Sequence, residues 1–491
     1  MKRRDFLKFL SVLSTYNILP STLFANETTN DYKALVVILL HGGNDSVNMF
    51  IPTTNDTKSG FDAYTKARGV LAIKNNLLEL PINNGELILE PGDKNPYYDN
   101  GSIKNSYTTG FYESGIDGIG INPLMPELAA LTQAKKVAIV ANMGTLHEPT
   151  SKEDILNKKV TLPLYLFSHN TQRSLFFTGN SRNQNSSGWA GVLADNLGDI
   201  NSSDVYGLNI SVSGTVQMMY GEETNPLTIS SSGPTSYTVV KYRERELYDK
   251  LIQIQNSDEF LRVYNDIKKK SFRYQDILKA DWDSTTLNFT STTSYNQALF
   301  STPNYQTLGI SSDESIGSGL NNQLKTVAKL IQIAKNKGLK RQIFFVQQGG
   351  YDTHGNQTAT HSKNLRELSL ALDSFDKALQ DMGVSNEVTT FNISDFGRSV
   401  GSNGDGSDHA WGGHYFVMGG AVKGGLYGTM PSLELGGEDD ISKKGRLIPT
   451  IAHVQYYATL LKWFGVKDNL IETVLPELKN FSLKDLGFMR S

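Results

Sequence analysis

Continuous apolar runs alternate along this chain with segments whose apolar residues recur every three or four positions. The runs are rich in β-branched and aromatic residues, as in strands buried on both faces of a parallel sheet, and cover residues 34–40, 137–140, 343–346 and 388–393. Helical spacing covers residues 123–134, 322–337, 362–382 and 451–464. The alternation predicts an α/β fold, with a mostly parallel central sheet sandwiched by helices.

Residues from about 201 to 320 interrupt this alternation. Strands rich in Ser and Thr are predicted over 205–221 and 226–240, and a charged amphipathic helical region over 241–274. The segment contains no histidine. We therefore expect a Ser/Thr-rich insertion or cap within a domain spanning residues 30–491, able to shape substrate access without supplying chemistry.

The first 25 residues have the layout of an export signal. Residues 2–8 (KRRDFLK) place paired arginines before a moderately apolar stretch, and Ala25 closes a cleavage site. This resembles a twin-arginine signal, which predicts the twin-arginine translocase as a partner and a periplasmic or extracellular location. The alternative is a basic amphipathic first helix. No later apolar run approaches about 20 residues, so no transmembrane segment is expected in the mature chain.

Charge and cysteine content narrow the chemistry. The 491 residues carry a formal net charge of −3, which gives no support for nucleic-acid binding. The chain has no cysteine, so disulfides and thiolate metal sites are excluded. Any metal must be held by histidine, carboxylate and other oxygen groups.

Acidic residues and histidines follow the ends of three predicted strands. Parallel strands share a carboxyl edge, so these distant segments can converge on one cleft. Asp and neutral His suit a divalent metal such as zinc, manganese or calcium. The strand-end residues are Asp45, Asp352, His354, Asp395, Asp408 and His409. Asp45 could instead cap a helix, and Asp408-His409 could form a hydrogen-bonded surface turn.

Candidate residues in two further segments each have two possible roles. Ser168, His169 and Thr171 begin a predicted helix that ends near Thr178. Free backbone N–H groups at the start of a helix favour a nucleophilic or anion-binding role, although such residues are also ordinary N-caps. Arg398 could pair with Asp395 or bind a substrate oxyanion.

Several motifs together resemble the exported bacterial domain-of-unknown-function family fifteen-oh-one. They are HGGNDSVN (41–48), SHNTQ (168–172), GGYDTHGNQ (349–357), DFGRS (395–399) and the run DHAWGGHYFVMGGAVKGGLYG (408–428). That family looks like a branch of the alkaline phosphatase and sulfatase-like superfamily. The resemblance implies a mixed, mostly parallel sheet and one or two divalent metals.

The resemblance also implies roles for individual residues. Asp45 matches the first-strand aspartate that holds metal, and Asp408-His409 matches the superfamily's metal-binding pair. Asp352 with His354 or His361 would supply the other metal, and His414 would be the last histidine ligand. Counting back from Thr178 to the nucleophile position reaches His169, with Ser168 beside it. A cysteine-derived formylglycine is excluded.

Two functions from different classes follow. The first is an exported metal-dependent hydrolase or transferase of small anionic esters, either phosphate- or sulfate-like, with Ser168, Thr171 or water activated at the metal and Arg398 steadying the anion. The second is a non-catalytic binding or assembly protein at the envelope, on a degenerate version of the same fold.

Overall fold

The computed structural model describes residues 32–83, 85–90, 102–184, 187–203, 205–234, 246–247, 250, 259–303 and 316–490. The predicted signal at residues 1–25 lies outside these ranges, as do parts of the predicted cap. Where the chain is described, no helix combines the length and the apolar character needed to cross a membrane.

Strands and helices alternate through the described residues. The strands are Lys33–Leu40 (β1), Phe50–Pro52 (β2), Leu77–Leu78 (β3), Ile82–Asn83 (β4), Glu86–Leu87 (β5), Phe111–Glu113 (β6), Ile119–Ile121 (β7), Val137–Gly144 (β8), Asn209–Ser211 (β9), Leu227–Thr228 (β10), Arg341–Gln348 (β11), Val388–Ser394 (β12), Arg398–Ser402 (β13), Ser407–His409 (β14), Gly413–Met418 (β15), Gly425–Tyr427 (β16) and Ile451–Ala452 (β17). The α-helices are Phe61–Arg68 (α1), Ile103–Ser106 (α2), Pro126–Gln133 (α3), Lys152–Leu156 (α4), His169–Thr178 (α5), Trp189–Leu197 (α6), Glu259–Ser284 (α7), Gly319–Lys337 (α8), Gln357–Asp381 (α9), His453–Trp463 (α10) and Asp468–Val474 (α11).

The central sheet has nine strands in the order β10-β9-β11-β1-β12-β15-β8-β16, with β17 also paired to β8. Strand β15 runs antiparallel to both of its neighbours, and the other pairings are parallel. The predicted α/β class with a mostly parallel sheet is confirmed.

Strand β1 shows why both faces of the sheet are covered. Its even-numbered residues, such as Val36 and Ile38, belong to one hydrophobic core, and its odd-numbered residues, such as Leu35 and Val37, belong to another. Side chains alternate across a strand, so a continuous apolar run needs a core on each side. Helices α3, α8 and α9 supply the first core, and α6, α10 and α11 the second.

Three neighbouring parallel strands carry the candidate residues. In the register of the sheet, Leu40 at the end of β1 lies between Gln348 of β11 and Ser394 of β12. The turns that follow these strands therefore leave the sheet side by side at its carboxyl edge.

The segment from about 201 to 320 adds β9 and β10 to the sheet beside β11. The strand predicted over 205–221 is limited to Asn209–Ser211, because the Ser211 hydroxyl donates to the Gly214 carbonyl at 2.5 Å and the chain turns there. The strand predicted over 226–240 is described only at Leu227–Thr228 and partly falls outside the described ranges. The cap remains a prediction.

Candidate metal centre

Three histidine rings and one carboxylate meet at the carboxyl edge of the sheet. His169 is the first residue of α5, Asp352 follows β11, and His409 ends β14. One ligand atom from each of these three lies within 4.8 Å of the other two. The His169 and His409 Nε2 atoms are 2.9 Å apart. His354 adjoins two members of this group, with its Nε2 at 2.7 Å from His409 Nε2 and 3.2 Å from Asp352 Oδ1.

The opposite nitrogen of each ring faces an oxygen acceptor. His169 Nδ1 lies 2.8 Å from the Asp395 carboxylate, and His409 Nδ1 lies 2.8 Å from the Phe167 carbonyl. His354 Nδ1 is 3.5 Å from Asp408 Oδ1. A neutral imidazole carries one ring proton, and these acceptors assign it to Nδ1. With the proton on Nδ1, the Nε2 atoms of His169 and His354 each present a lone pair towards His409 Nε2, an arrangement that a cation beside them would stabilise.

The distances from His409 Nε2 to the Nε2 atoms of His169 and His354 are close to those between the ligands of a metal site. Zinc binds histidine nitrogen at about 2.0–2.1 Å in tetrahedral geometry, which places neighbouring ligand nitrogens roughly 3.3 Å apart. Metal-binding histidines also donate their second N–H to a carboxylate or carbonyl, as His169 and His409 do here. The donor set therefore fits a divalent metal.

Arg398 holds Asp352 in its ionised form. Its Nη1 lies 2.7 Å from Asp352 Oδ1, and the rest of its buried guanidinium bonds to Ser407 and Gly42. Burial raises the pKa of Asp352, but the Arg398 hydrogen bond and charge outweigh it and bring the pKa below its usual range. Of the two roles expected for Arg398, pairing with Asp395 is replaced by pairing with Asp352.

A glycine lets the turn after β1 pack against this carboxylate. Gly42 has φ of +119°, and a Cβ built there would lie 2.5 Å from the Asp352 backbone nitrogen. Only glycine adopts this conformation without strain or a clash. The first predicted motif thus supports Asp352 through its backbone.

The acceptor for His409 comes from a strained residue. Phe167 has φ of +72°, a conformation that costs a bulky side chain about 1 kcal/mol or more. Its carbonyl reaches His409 Nδ1, while its ring is covered by the Arg446 guanidinium at 4.4 Å. Burial, partly offset by the Phe167 hydrogen bond, lowers the pKa of His409 and keeps the ring neutral.

Asp45, another predicted metal ligand, is engaged elsewhere. Both side chains of the Asp45–Arg68 ion pair are fully buried, and the same Asp45 oxygen also accepts from Gln357. Asp45 lies outside the cluster of metal-type ligands found among the described residues. Arg68 also donates to the Ser399 and Val400 carbonyls, so the pair anchors β13.

Two of the expected histidine ligands are core residues in the structure. His361 lies on the inner face of α9, bonded to Tyr107 and Asn44, and His414 accepts from the Asn142 backbone. Burial lowers the pKa of each to about 4. In the described part of the chain, the Asp408 carboxylate reaches the group through His354 Nδ1 at 3.5 Å, and it also contacts Asn403 and Lys444.

The candidate nucleophiles begin α5 beside His169. Ser168 is the N-cap residue, and its hydroxyl lies 3.4 Å from that of Thr171. Among the described residues, no side-chain capping hydrogen bond is made at this N-cap, and the Ser168 hydroxyl does not bond to the first N–H groups of the helix. Its positive end is therefore available to an anion.

The sequence placed Asp395 among the strand-end residues without a role of its own, and it did not single out Arg173. Asp395 was visible as a strand-end aspartate, and here its fully buried carboxylate orients His169. Arg173 follows the SHNTQ motif directly, and its Nη1 lies 3.5 Å from the same Asp395 oxygen. One helical turn separates it from His169, which is the signal that could have linked the two.

Residues 322–466 match a family model described as "Protein of unknown function (DUF1501)". The expected resemblance to this family is confirmed over these residues, which include the motifs at 349–357, 395–399 and 408–428. The matched segment contains Asp352, His354, Asp395 and His409, whereas His169 precedes it. A comparison with curated proteins found no match.

Comparison with solved structures found similar chains at low identity. The soluble domain of lipooligosaccharide phosphoethanolamine transferase A from Neisseria meningitidis has a TM-score of 0.37 and 9% identity, covering 96% of this chain and 98% of that chain. The PsFucS1 sulfatase from Pseudoalteromonas sp. has 0.32 and 13%, covering 100% and 78%. The alkaline phosphatase from the Antarctic bacterium TAB5 has 0.27 and 12%, covering 91% and 99%. Likenesses this weak say nothing about what this chain acts on.

Proposed function

We propose that this protein is an exported hydrolase or transferase of phosphate- or sulfate-like esters that depends on a divalent metal. The ligands are His169, Asp352, His354 and His409. The observation that carries the proposal is the convergence of three Nε2 atoms on one carboxylate, with Nδ1 of each ring directed at an oxygen. Three nitrogens and one oxygen favour zinc or manganese over calcium, which prefers six to eight oxygens.

The chain's own residues would prepare this centre for an anionic ester. When bound, a divalent metal polarises an ester oxygen and makes water a stronger acid. Asp395 and the Phe167 carbonyl keep the Nδ1 protons in place, so that His169 and His409 present lone pairs. Arg398 keeps Asp352 ionised. The uncapped start of α5 attracts negative charge close to His169.

The nucleophile in this proposal is water or one of the two hydroxyls that begin α5. Ser168 is adjacent in sequence to His169, and its contact with Thr171 gives a hydrogen-bond partner for either hydroxyl. Replacing each by alanine separates the cases, because loss of a nucleophile abolishes turnover without loss of metal.

The test combines metal content with turnover of 4-nitrophenyl phosphate and 4-nitrophenyl sulfate. The parent protein, reconstituted with zinc or manganese, should hold about one equivalent of metal and hydrolyse at least one ester. His409→Asn should lose both properties and stay folded. His147→Asn is the matched control, because His147 pairs with Glu477 away from the cluster.

The outcomes separate the two expected functions. Metal in the parent without turnover of either ester would favour the non-catalytic binding or assembly protein. Absence of metal from the parent after reconstitution would contradict the metal centre itself.

A further inference from the structure

A polar cleft of about 360 Å³ opens beside the metal centre. The start of α5, the turn after β1, the end of β11 and the loop at 215–217 form its walls. Its polar lining includes His41, Asn170, Arg173, Ser174, Gln217 and Gln347. None of the described residues that line it is acidic.

Arg173 stands between the cleft and the metal centre. It lies four residues after His169 on α5, so both side chains project from the same face of the helix. Its Nη1 is 3.5 Å from the Asp395 oxygen that also holds His169 Nδ1 at 2.8 Å. A molecule held at the metal could therefore extend into the cleft past Arg173.

The Arg173 guanidinium has donors available for a ligand. Arginine carries five N–H donors. Within the described part of the chain, hydrogen bonds to His41 Nε2 and to Asn170 Oδ1 occupy two of them, and Nη1 also lies 3.5 Å from the Asp395 carboxylate. The side chain is 22% exposed and lines the cleft, so a ligand in the cleft can contact it. Such a planar cation, surrounded by amide and hydroxyl groups, suits a carboxylate or phosphate.

We propose that this cleft binds a second anionic group of the substrate, distinct from the ester at the metal, and that Arg173 anchors it. The inference rests on the proposed function, and it defines the substrate class as a hydroxylated ester with an additional negative charge. A water molecule takes up about 30 Å³, so a cleft of 360 Å³ has room for a group of roughly monosaccharide size. The amide side chains of Asn170, Gln217 and Gln347 would bond its hydroxyl groups.

Two probes that differ only in this second charge provide the test. In 3-phosphoglycerate a carboxylate stands where glycerol 3-phosphate has a hydroxymethyl group. Isothermal titration calorimetry would measure both dissociation constants in the chelator-treated and the zinc-loaded protein. We expect the parent to bind 3-phosphoglycerate about 10- to 100-fold more tightly, the strength of a hydrogen bond to a charged group.

Variants assign that preference to Arg173. Arg173→Gln should reduce the ratio of the two constants to about one, and Arg173→Lys should retain part of it because the charge remains. Arg182→Gln is the matched control, since Arg182 is exposed and bonds to the Leu162 carbonyl. It should leave the ratio unchanged.

The ratio of the two dissociation constants tests the role of the cleft, whereas zinc binding tests the metal centre. An equal ratio in the parent and in Arg173→Gln, or no binding of 3-phosphoglycerate by the parent, would overturn the role of the cleft. A preference that depends on Arg173 but is the same with and without bound zinc supports the cleft, while absence of bound zinc contradicts only the metal centre.

Discussion

Replacing Asp395 by asparagine should weaken metal binding although Asp395 does not touch the metal. The Asp395 side chain is fully buried, and its Oδ2 lies 2.8 Å from His169 Nδ1. Asparagine keeps the shape and removes the charge. His169 then loses the partner that fixes its tautomer and strengthens its Nε2 as a ligand.

The expected size follows from this geometry. Loss of a carboxylate partner behind a metal-binding histidine typically lowers metal affinity about 10- to 100-fold, or about 1.4–2.7 kcal/mol. Asp408→Asn provides the matched comparison, because Asp408 lies 3.5 Å from His354 Nδ1 and is 24% exposed. A pair this long and solvated should contribute less than about threefold.

The assay is competition for zinc against a chromophoric chelator at neutral pH. Near-ultraviolet circular dichroism and thermal unfolding of both variants would show that each remains folded. Zinc affinity of Asp395→Asn within about twofold of the parent would contradict the role of Asp395 behind His169, as would an equal loss in Asp408→Asn.

Two predictions concern residues outside the metal cluster. Asp45→Asn leaves Arg68 buried without its counter-charge, so urea denaturation should show a loss of about 3–5 kcal/mol in the free energy of unfolding, with unchanged zinc content. His361 and His414 have pKa values lowered to about 4 by burial, so they charge more readily in the unfolded chain. Stability of the chelator-treated protein should therefore fall as the pH drops from about 6.5 to about 4, by about 3 kcal/mol for each histidine. A flat stability profile over this pH range would contradict the effect of the two histidines. Loss of zinc in Asp45→Asn would contradict the purely structural role of Asp45.

The central sheet, and the location of the metal centre at its carboxyl edge, could be predicted because they follow from patterns within short stretches of sequence. The β1 run needs a core on each face, and its parallel register with β11 and β12 aligns the turns that follow. Asp352 and His409 were therefore expected near one another, and they are.

Which histidines join the metal centre could not be predicted, because the number of histidines in a segment does not determine the direction of each side chain. His361 and His354 lie seven residues apart, yet His361 is enclosed by Tyr107 and Asn44. The inward face of α9 depends on packing between helices that are distant in sequence. Likewise, the sequence around Asp45 does not indicate its pairing with Arg68. Arg68 ends α1, and the two side chains meet only when the chain folds.

X-ray absorption spectroscopy of the zinc-loaded protein would identify the atoms bound to the metal. We expect three imidazole nitrogens and one carboxylate oxygen at about 2.0–2.1 Å from zinc, with the imidazole signal reduced in His409→Asn. A shell of oxygen atoms without imidazole scattering, or a spectrum that is the same in His409→Asn, would contradict this expectation.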